Sequence, residues 1–368
     1  MSKLAVFIIY GFSLLCIGFD FSGNRYSIKL KKQIFDFFCF ILILGATLKP
    51  SDFCFDVNNY YMFFNEIDPI YSYHYKFGEF EPAYSYLNAI VKTFTNNYHV
   101  LFFVLSFIDV MLYRRIILKY ADKIFLALFV YISSFFFANE MVVLRFAISS
   151  AIVFLNMENL EKGNFKKFFF FCFLATTFHY SAVSSFIFFL FRKPSKEKRN
   201  VKLLIFLIIF MGGFSTIISP IGLIALLAKK VPSLYDAGLW HLLRYIGKEE
   251  SAGIKRIIIY IPYVYLALLM YINSKRNNYC CYNNIAYGQL LYILVAILFM
   301  LVFYEVASMS RINQLFLTSV ILISGNMILS HKKYKDLKML YLLGILVLQI
   351  YVFLRQNFFN SSGLMLYN

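Results

Sequence analysis

Residues 166–191 read KKFFFFCFLATTFHYSAVSSFIFFLF, and the direction in which this stretch runs decides the fold. Both flanks are basic. Lys162, Lys166 and Lys167 fall in 156–167, and Arg192, Lys193, Lys196, Lys198, Arg199 and Lys202 fall in 192–202. Short basic segments beside apolar runs stay on the cytoplasmic side of a membrane. Both flanks can do so only if the 26 residues between them go out and come back. At about 1.5 Å per residue, that length makes one tilted helix or two short ones. A broken hairpin is expected, Lys166–Phe178 and Tyr180–Phe191, with His179 near its outward apex. Such half-helices survive only when buried in protein or lining a water-filled cavity. The alternative is one long helix that violates the charge rule.

The rest of the chain supports a membrane reading. Of its 368 residues 61% are hydrophobic and only 15% charged, against about 25% charged in soluble domains. Apolar segments recur at about 4–19, 34–48, 98–113, 124–138, 142–156, 166–191, 203–228, 257–273, 285–304, 312–330 and 339–354. Their lengths and the charge rule predict an all-α, polytopic membrane helix bundle of about 11–12 transmembrane segments, with both termini outside. Residues 1–368 are read as a single transmembrane domain. The net charge of +17 reports topology: 23 of the 36 lysines and arginines lie in 20–33, 113–123, 156–167, 192–202, 274–284 and 331–338, all assigned to the cytoplasm. Nucleic acid is therefore excluded as a partner. The six cysteines show no metal spacing and no disulfide framework. Met1-Ser2-Lys3 precedes an apolar run with no clear cleavage site, and is read as the start of a retained first helix.

Two external segments stand out. Residues 49–97 form a long acidic loop with Asp52, Asp56, Glu66, Asp68, Glu79 and Glu81 against three lysines, together with seven tyrosines and seven phenylalanines. Rings that stack on sugar C–H faces, flanked by carboxylates that bind hydroxyls, suit a glycan-binding surface. Tyr60, Tyr84 and Tyr86 are the candidates, and an interfacial aromatic belt is the competing reading. In 229–256, Pro232-Ser233 opens an amphipathic helix with Leu239, Leu242, Leu243 and Ile246 on one side and His241, Arg244 and Lys248 on the other. Trp240 would anchor it in the outer interface, with Arg244 toward an anionic group such as lipid phosphate. A snorkelling interfacial helix explains the same pattern.

Three ionisable residues lie in or beside apolar runs: Arg145, His179 and Arg311. A charge there costs several kcal/mol, about 2.5–3.5 for arginine at a helix centre, so such residues usually face a polar site. Arg145 falls in the first turn of a helix entering from outside, where the dipole and free N–H groups already favour an anion. Its guanidinium adds donors matched to phosphate. A structural ion pair with Glu140 or another nearby carboxylate is the plain alternative. Arg311 repeats the arrangement, and a snorkelling role competes. His179 could donate to phosphate or act as a base, or simply be a hydrogen-bonded packing residue. No Walker motif, His-Glu-x-x-His or nucleophile elbow is present.

Five motifs in order then carry a resemblance: Asp56-Val-Asn-Asn-Tyr60, Phe80-Glu81-Pro82-Ala83-Tyr84-Ser85-Tyr86-Leu87, Leu144-Arg145-Phe146-Ala147-Ile148, Phe178-His179-Tyr180-Ser181-Ala182 and Ser310-Arg311-Ile312-Asn313. The chain resembles the EpsG-like branch of Wzy-type polysaccharide (O-antigen) polymerases over about residues 50–320. It departs at Phe146 and Ala83, where relatives commonly carry glutamine and glycine. The resemblance implies a GT-C-like membrane glycosyltransferase architecture in the bacterial inner membrane, with its active site toward the periplasm. A growing glycan on undecaprenyl diphosphate would pass to the next lipid-linked repeat unit. Arg145 and Arg311, with Arg244, would bind the diphosphate, and Asp56, Glu81 or His179 would be the base, with no choice among the three. No cofactor is implied. The partners are the undecaprenyl-diphosphate-linked oligosaccharide, membrane lipid and a chain-length regulator protein. A lipid-linked oligosaccharide flippase, an O-antigen ligase and a sugar acyltransferase are the rivals. A flippase should show pseudo-repeat halves, and no convincing internal repeat is seen.

Overall fold

A computed structural model describes residues 3–22, 25–76, 79–191, 197–217, 264–265, 267–268, 280–302, 310–326, 343–344, 346–347 and 349–350. The described residues form twelve α-helices, one π-helix and one long 3₁₀ helix, with no strand among them. The all-α expectation holds. Among the described residues no helix is long and apolar enough to cross a membrane. The chain divides into two compact units, 1–159 with 164–185 and 321–368, and 160–163 with 186–320.

In chain order the first helices are α1 (Lys3–Phe21), α2 (Ile28–Thr47), α3 (Phe55–Glu66), α4 (Pro82–Phe94), α5 (Tyr98–Tyr120) and α6 (Ile124–Tyr131). The π-helix (Ile132–Glu140), α7 (Leu144–Glu161), α8 (Phe165–Phe178) and the 3₁₀ helix (Tyr180–Phe191) follow. Then come α9 (Glu197–Ile217), α10 (Cys280–Val302), α11 (Ser310–Leu317) and α12 (Ser319–Gly325).

The first unit packs α1 on α6 and α2 on α5, with α4 against α8. Ser27 caps α2 by accepting the Leu30 N–H, and Asn97 caps α5 by accepting that of His99. Helix α6 has no cap of its own. Asp20, at the end of α1, supplies it: one carboxylate oxygen accepts from the N–H groups of Phe125 and Leu126, both at 2.9 Å. Every residue of α6 from Phe125 to Tyr131 is buried, the signature of a core helix apolar on all sides. It runs directly into the π-helix, where the Ser133 and Ser134 hydroxyls donate to Gln349 Oε1 at 2.6 and 2.5 Å. A π segment of nine residues is long for a form that usually lasts one turn and often marks a functional region.

Residues 49–97, expected as a loop, contain two helices. Val57, Tyr60 and Phe64 give α3 a buried face at spacings of three and four, and Pro82 opens α4 at the position where its missing N–H costs nothing. At the far end of the unit, a Cβ on Gly325 would meet Ala121 Cβ at 2.9 Å and Ala127 Cβ at 3.0 Å. Gly325 O accepts from Lys123 N, and Asn326 bonds both Asp122 N and Tyr120 O. The absence of a side chain is what lets α12 close on the α5–α6 turn.

The 166–191 stretch breaks at His179, which is extended (φ −156°, ψ 125°). Ser185 then comes within hydrogen-bonding reach of the Cys172 thiol. A continuous helix would hold those two residues about 20 Å apart at 1.5 Å per residue, so the chain doubles back about His179.

The second unit packs α9 on α10 and α10 on α11. Phe188, Tyr292 and Phe316 form its aromatic centre, with ring separations of 4.4 and 5.2 Å from Phe188. Asn200 Nδ2 donates to Tyr287 Oη at 3.0 Å. The expected segment 312–330 is divided here into α11 and α12 about Thr318. Segment 229–256, with Arg244 and Trp240, lies outside the described residues.

Outward faces in both units are apolar. Val100, Phe103, Phe107 and Met111 line α5, Phe169, Phe170 and Phe173 line α8, and Leu203, Phe206 and Phe210 line α9, all of them exposed.

Candidate active site

Glu81 precedes α4 at its N-cap position, yet its side chain does not cap that helix. It turns instead to Arg145, the second residue of α7, and the two form a buried ion pair. Its other oxygen accepts the Tyr180 N–H at 3.2 Å. One carboxylate, at the start of α4, thus reaches two segments 64 and 99 residues further along the chain, the start of α7 and the apex of the 166–191 hairpin.

Rings close around the cation. The guanidinium carbon lies 4.2 Å from the Phe80 ring centre, 5.4 Å from Tyr60 and 5.5 Å from Tyr84. Tyr60 also hydrogen-bonds the guanidinium. The three rings touch one another, with centroid separations of 5.4–5.8 Å. A buried arginine tolerates such a place only when its charge is matched, and a carboxylate plus three π faces match it. Arg145 Nε is buried and has no partner among the described residues.

His179 sits beside this pair on the apex residue. Its ring meets Phe146 edge-on at 5.5 Å. Nδ1 accepts the Ser181 N–H at 3.2 Å and lies 2.8 Å from the Ser181 hydroxyl. A backbone N–H can only donate, so Nδ1 is an acceptor and the neutral ring carries its proton on Nε2. Ser149 Oγ on α7 donates to Ala175 O on α8, fixing the helix that carries Arg145 against the one that ends at His179.

Asp56 is in the first turn of α3, one turn before Tyr60 on the same face. Lys49, unremarked in the sequence, is fully buried at the end of α2. Its Nζ donates to Met141 O at 3.3 Å and lies over Phe102, which ties α2 to the turn leading into α7 and Arg145. Hydropathy counts such a lysine as loop, and only the fold shows that it is inside.

A family model for the EpsG family matches residues 32–368. The chain belongs to the EpsG family. No curated protein and no solved structure matches it. Three of the five motifs quoted above for the EpsG-like resemblance meet in one place: Phe80-Glu81-Pro82-Ala83-Tyr84 in Arg145's cage, Leu144-Arg145-Phe146 opposite it, and Phe178-His179-Tyr180 closing the third side. The first motif reaches the same site through Tyr60. Arg311 is the second residue of α11, in the other unit.

One expectation for this EpsG-family chain is corrected. Tyr60 and Tyr84 were expected to bind glycan, but both are fully buried with their rings against Arg145, so neither has a face for a sugar. Tyr86 is exposed. The alternation that puts Tyr84 and Tyr86 in one motif splits them on a helix, where residues two apart point in different directions. The partner of Arg145 is distant in sequence: Glu81. Among the described residues no cluster of His, Cys, Asp or Glu could hold a metal ion.

Proposed function

We propose that this EpsG-family protein is a membrane polysaccharide (O-antigen-type) polymerase. It transfers a growing glycan from undecaprenyl diphosphate to the next lipid-linked repeat unit at the outer face of the bacterial inner membrane. The observation that carries this reading is the convergence of Glu81, Arg145 and His179 on one buried site. Exposed apolar rows on α5, α8 and α9, in a chain 61% hydrophobic, support the membrane setting.

In the reaction, an acceptor hydroxyl attacks the anomeric carbon of the donor glycan. The bond from that carbon to the diphosphate oxygen breaks, and the lipid diphosphate leaves with its electron pair. Catalysis then needs cationic donors for the leaving group and a base for the hydroxyl proton. Arg145 supplies the first. While paired with Glu81 it is neutralised, and an arriving diphosphate competes for it. Glu81, released, takes the acceptor proton. His179 acts as a donor to the diphosphate through Nε2–H, because Nδ1 is already engaged by Ser181. Arg311, from the Ser310-Arg311-Ile312-Asn313 motif, is assigned the second cation, Arg244 a further phosphate contact, and Asp56 a role in orienting the acceptor. A chain-length regulator protein is the expected protein partner.

Deletion of the gene, followed by complementation, tests the reading. Surface glycan should collapse to single repeats and regain its ladder with wild type, but not with Arg145→Ala or Arg311→Ala at equal protein level. If deletion removes every repeat from the surface, the protein acts in export or ligation, and a flippase or O-antigen ligase replaces the polymerase.

A further inference from the structure

Beside the buried pair lies a second, open group of tyrosines. Tyr75 stacks on Tyr86 (6.5 Å, 27°), and Tyr73 meets Tyr86 edge-on at 5.5 Å. Tyr75 hydrogen-bonds Tyr180, whose main-chain N–H holds Glu81. Tyr86 and Tyr180 are exposed, 43% and 54% respectively, while Tyr73 is buried as part of the floor with Ile67 and Ala89. Glu79 accepts from the Tyr73 hydroxyl at 2.7 Å through one oxygen, and its second oxygen carries no bond to any described residue. The bond to Tyr180, with burial, pushes Tyr75 up to about 12, so it remains a protonated hydroxyl.

We infer that Tyr86, Tyr180, Tyr75 and Glu79 form a glycan-binding platform that delivers an oligosaccharide to the Glu81–Arg145 site. This rests on the polymerase reading. The occupant follows from the chemistry. Exposed rings beside hydroxyls and a carboxylate match a sugar, which offers C–H faces and hydroxyls in alternation. A lipid tail would use the rings but not the hydroxyls and the carboxylate. The platform is also continuous with the site, since Tyr180 contributes its ring to one and its N–H to the other.

The test uses the full-length protein in lipid nanodiscs, with the host strain's own purified surface polysaccharide as probe and dextran as control. Tyr86→Ala and Tyr180→Ala should each weaken binding about fivefold, the size of one lost stacking contact. Tyr86→Trp, which keeps a face, should restore it. In cells, the same alanine variants should shorten the ladder without collapsing it to single repeats. Unchanged binding and an unchanged ladder in both alanine variants overturn the platform. Normal glycan chains after gene deletion, with the binding losses intact, overturn the polymerase reading and leave the platform standing.

Discussion

Removing the charge of Glu81 by Glu81→Gln isolates the Arg145 cage. The Glu81 side chain is 5% exposed and that of Arg145 12%. Glutamine keeps the shape and can still accept from Tyr180 N–H, so the change deletes one thing, the negative charge beside a buried guanidinium. Breaking one partner of a buried pair costs about 3–5 kcal/mol because the other charge is left uncompensated. The rings at 4.2–5.5 Å do not offset this, since they surround Arg145 in both proteins. Arg145→Met should cost less, because a stranded carboxylate can take up a proton and a guanidinium cannot. The double variant should be more stable than the sum of the two losses by at least about 2 kcal/mol, the coupling expected of contacting residues. Thermal unfolding of the detergent-solubilised protein can be followed with a thiol-reactive fluorophore, because Cys16, Cys39, Cys54 and Cys172 are free and buried until the chain opens. At about 2 °C per kcal/mol, Glu81→Gln should melt roughly 6–10 °C below wild type. Additive losses, or a Glu81→Gln midpoint within about a degree of wild type, would show that the pair does not hold this site together.

Further predictions concern the frame and the histidine. Gly325→Ala should destabilise by about 1–3 kcal/mol through the clash with Ala121 and Ala127, and adding Ala121→Gly should recover part of the loss in the same melting assay. Asp20→Ala should cost about 2 kcal/mol, because two buried N–H groups at the start of α6 lose a charged acceptor; a melting point equal to wild type would refute the cap. For His179, glutamine places an amide nitrogen near Nε2 and asparagine places its polar atoms near Nδ1. His179→Gln should therefore retain more polymer on a surface-glycan gel than His179→Asn, and the reverse order would assign the work to Nδ1.

The helical class was legible because it rests on local pattern. Apolar runs, basic punctuation and Pro82 act within a turn or two, and helix starts at Lys3, Tyr98, Ile124 and Phe165 fall within one residue of the expected segments. The break at His179 was legible for a different reason: charge balance on both flanks required a reversal, and 26 residues leave few places to put it. The helices within 49–97 were hidden by their tyrosines and carboxylates, which lower the apolar signal while still burying one face. The π-helix was invisible, since a shift of backbone hydrogen bonds by one residue leaves composition and hydropathy unchanged.

By itself, the sequence determined that this chain is helical and apolar, that it carries an ordered set of EpsG-like motifs, and that Arg145 and His179 lie where a charge or polar ring is costly. Those are properties of single residues and their near neighbours. Only the tertiary structure decided that Arg145 belongs to Glu81, that Tyr60 and Tyr84 line its cage while Tyr86 faces out, and that Lys49 is buried. The physical reason is separation: ion pairing, cation–π contact and burial act over a few ångströms in space, and the carboxylate stands 64 positions along the chain from the guanidinium it neutralises.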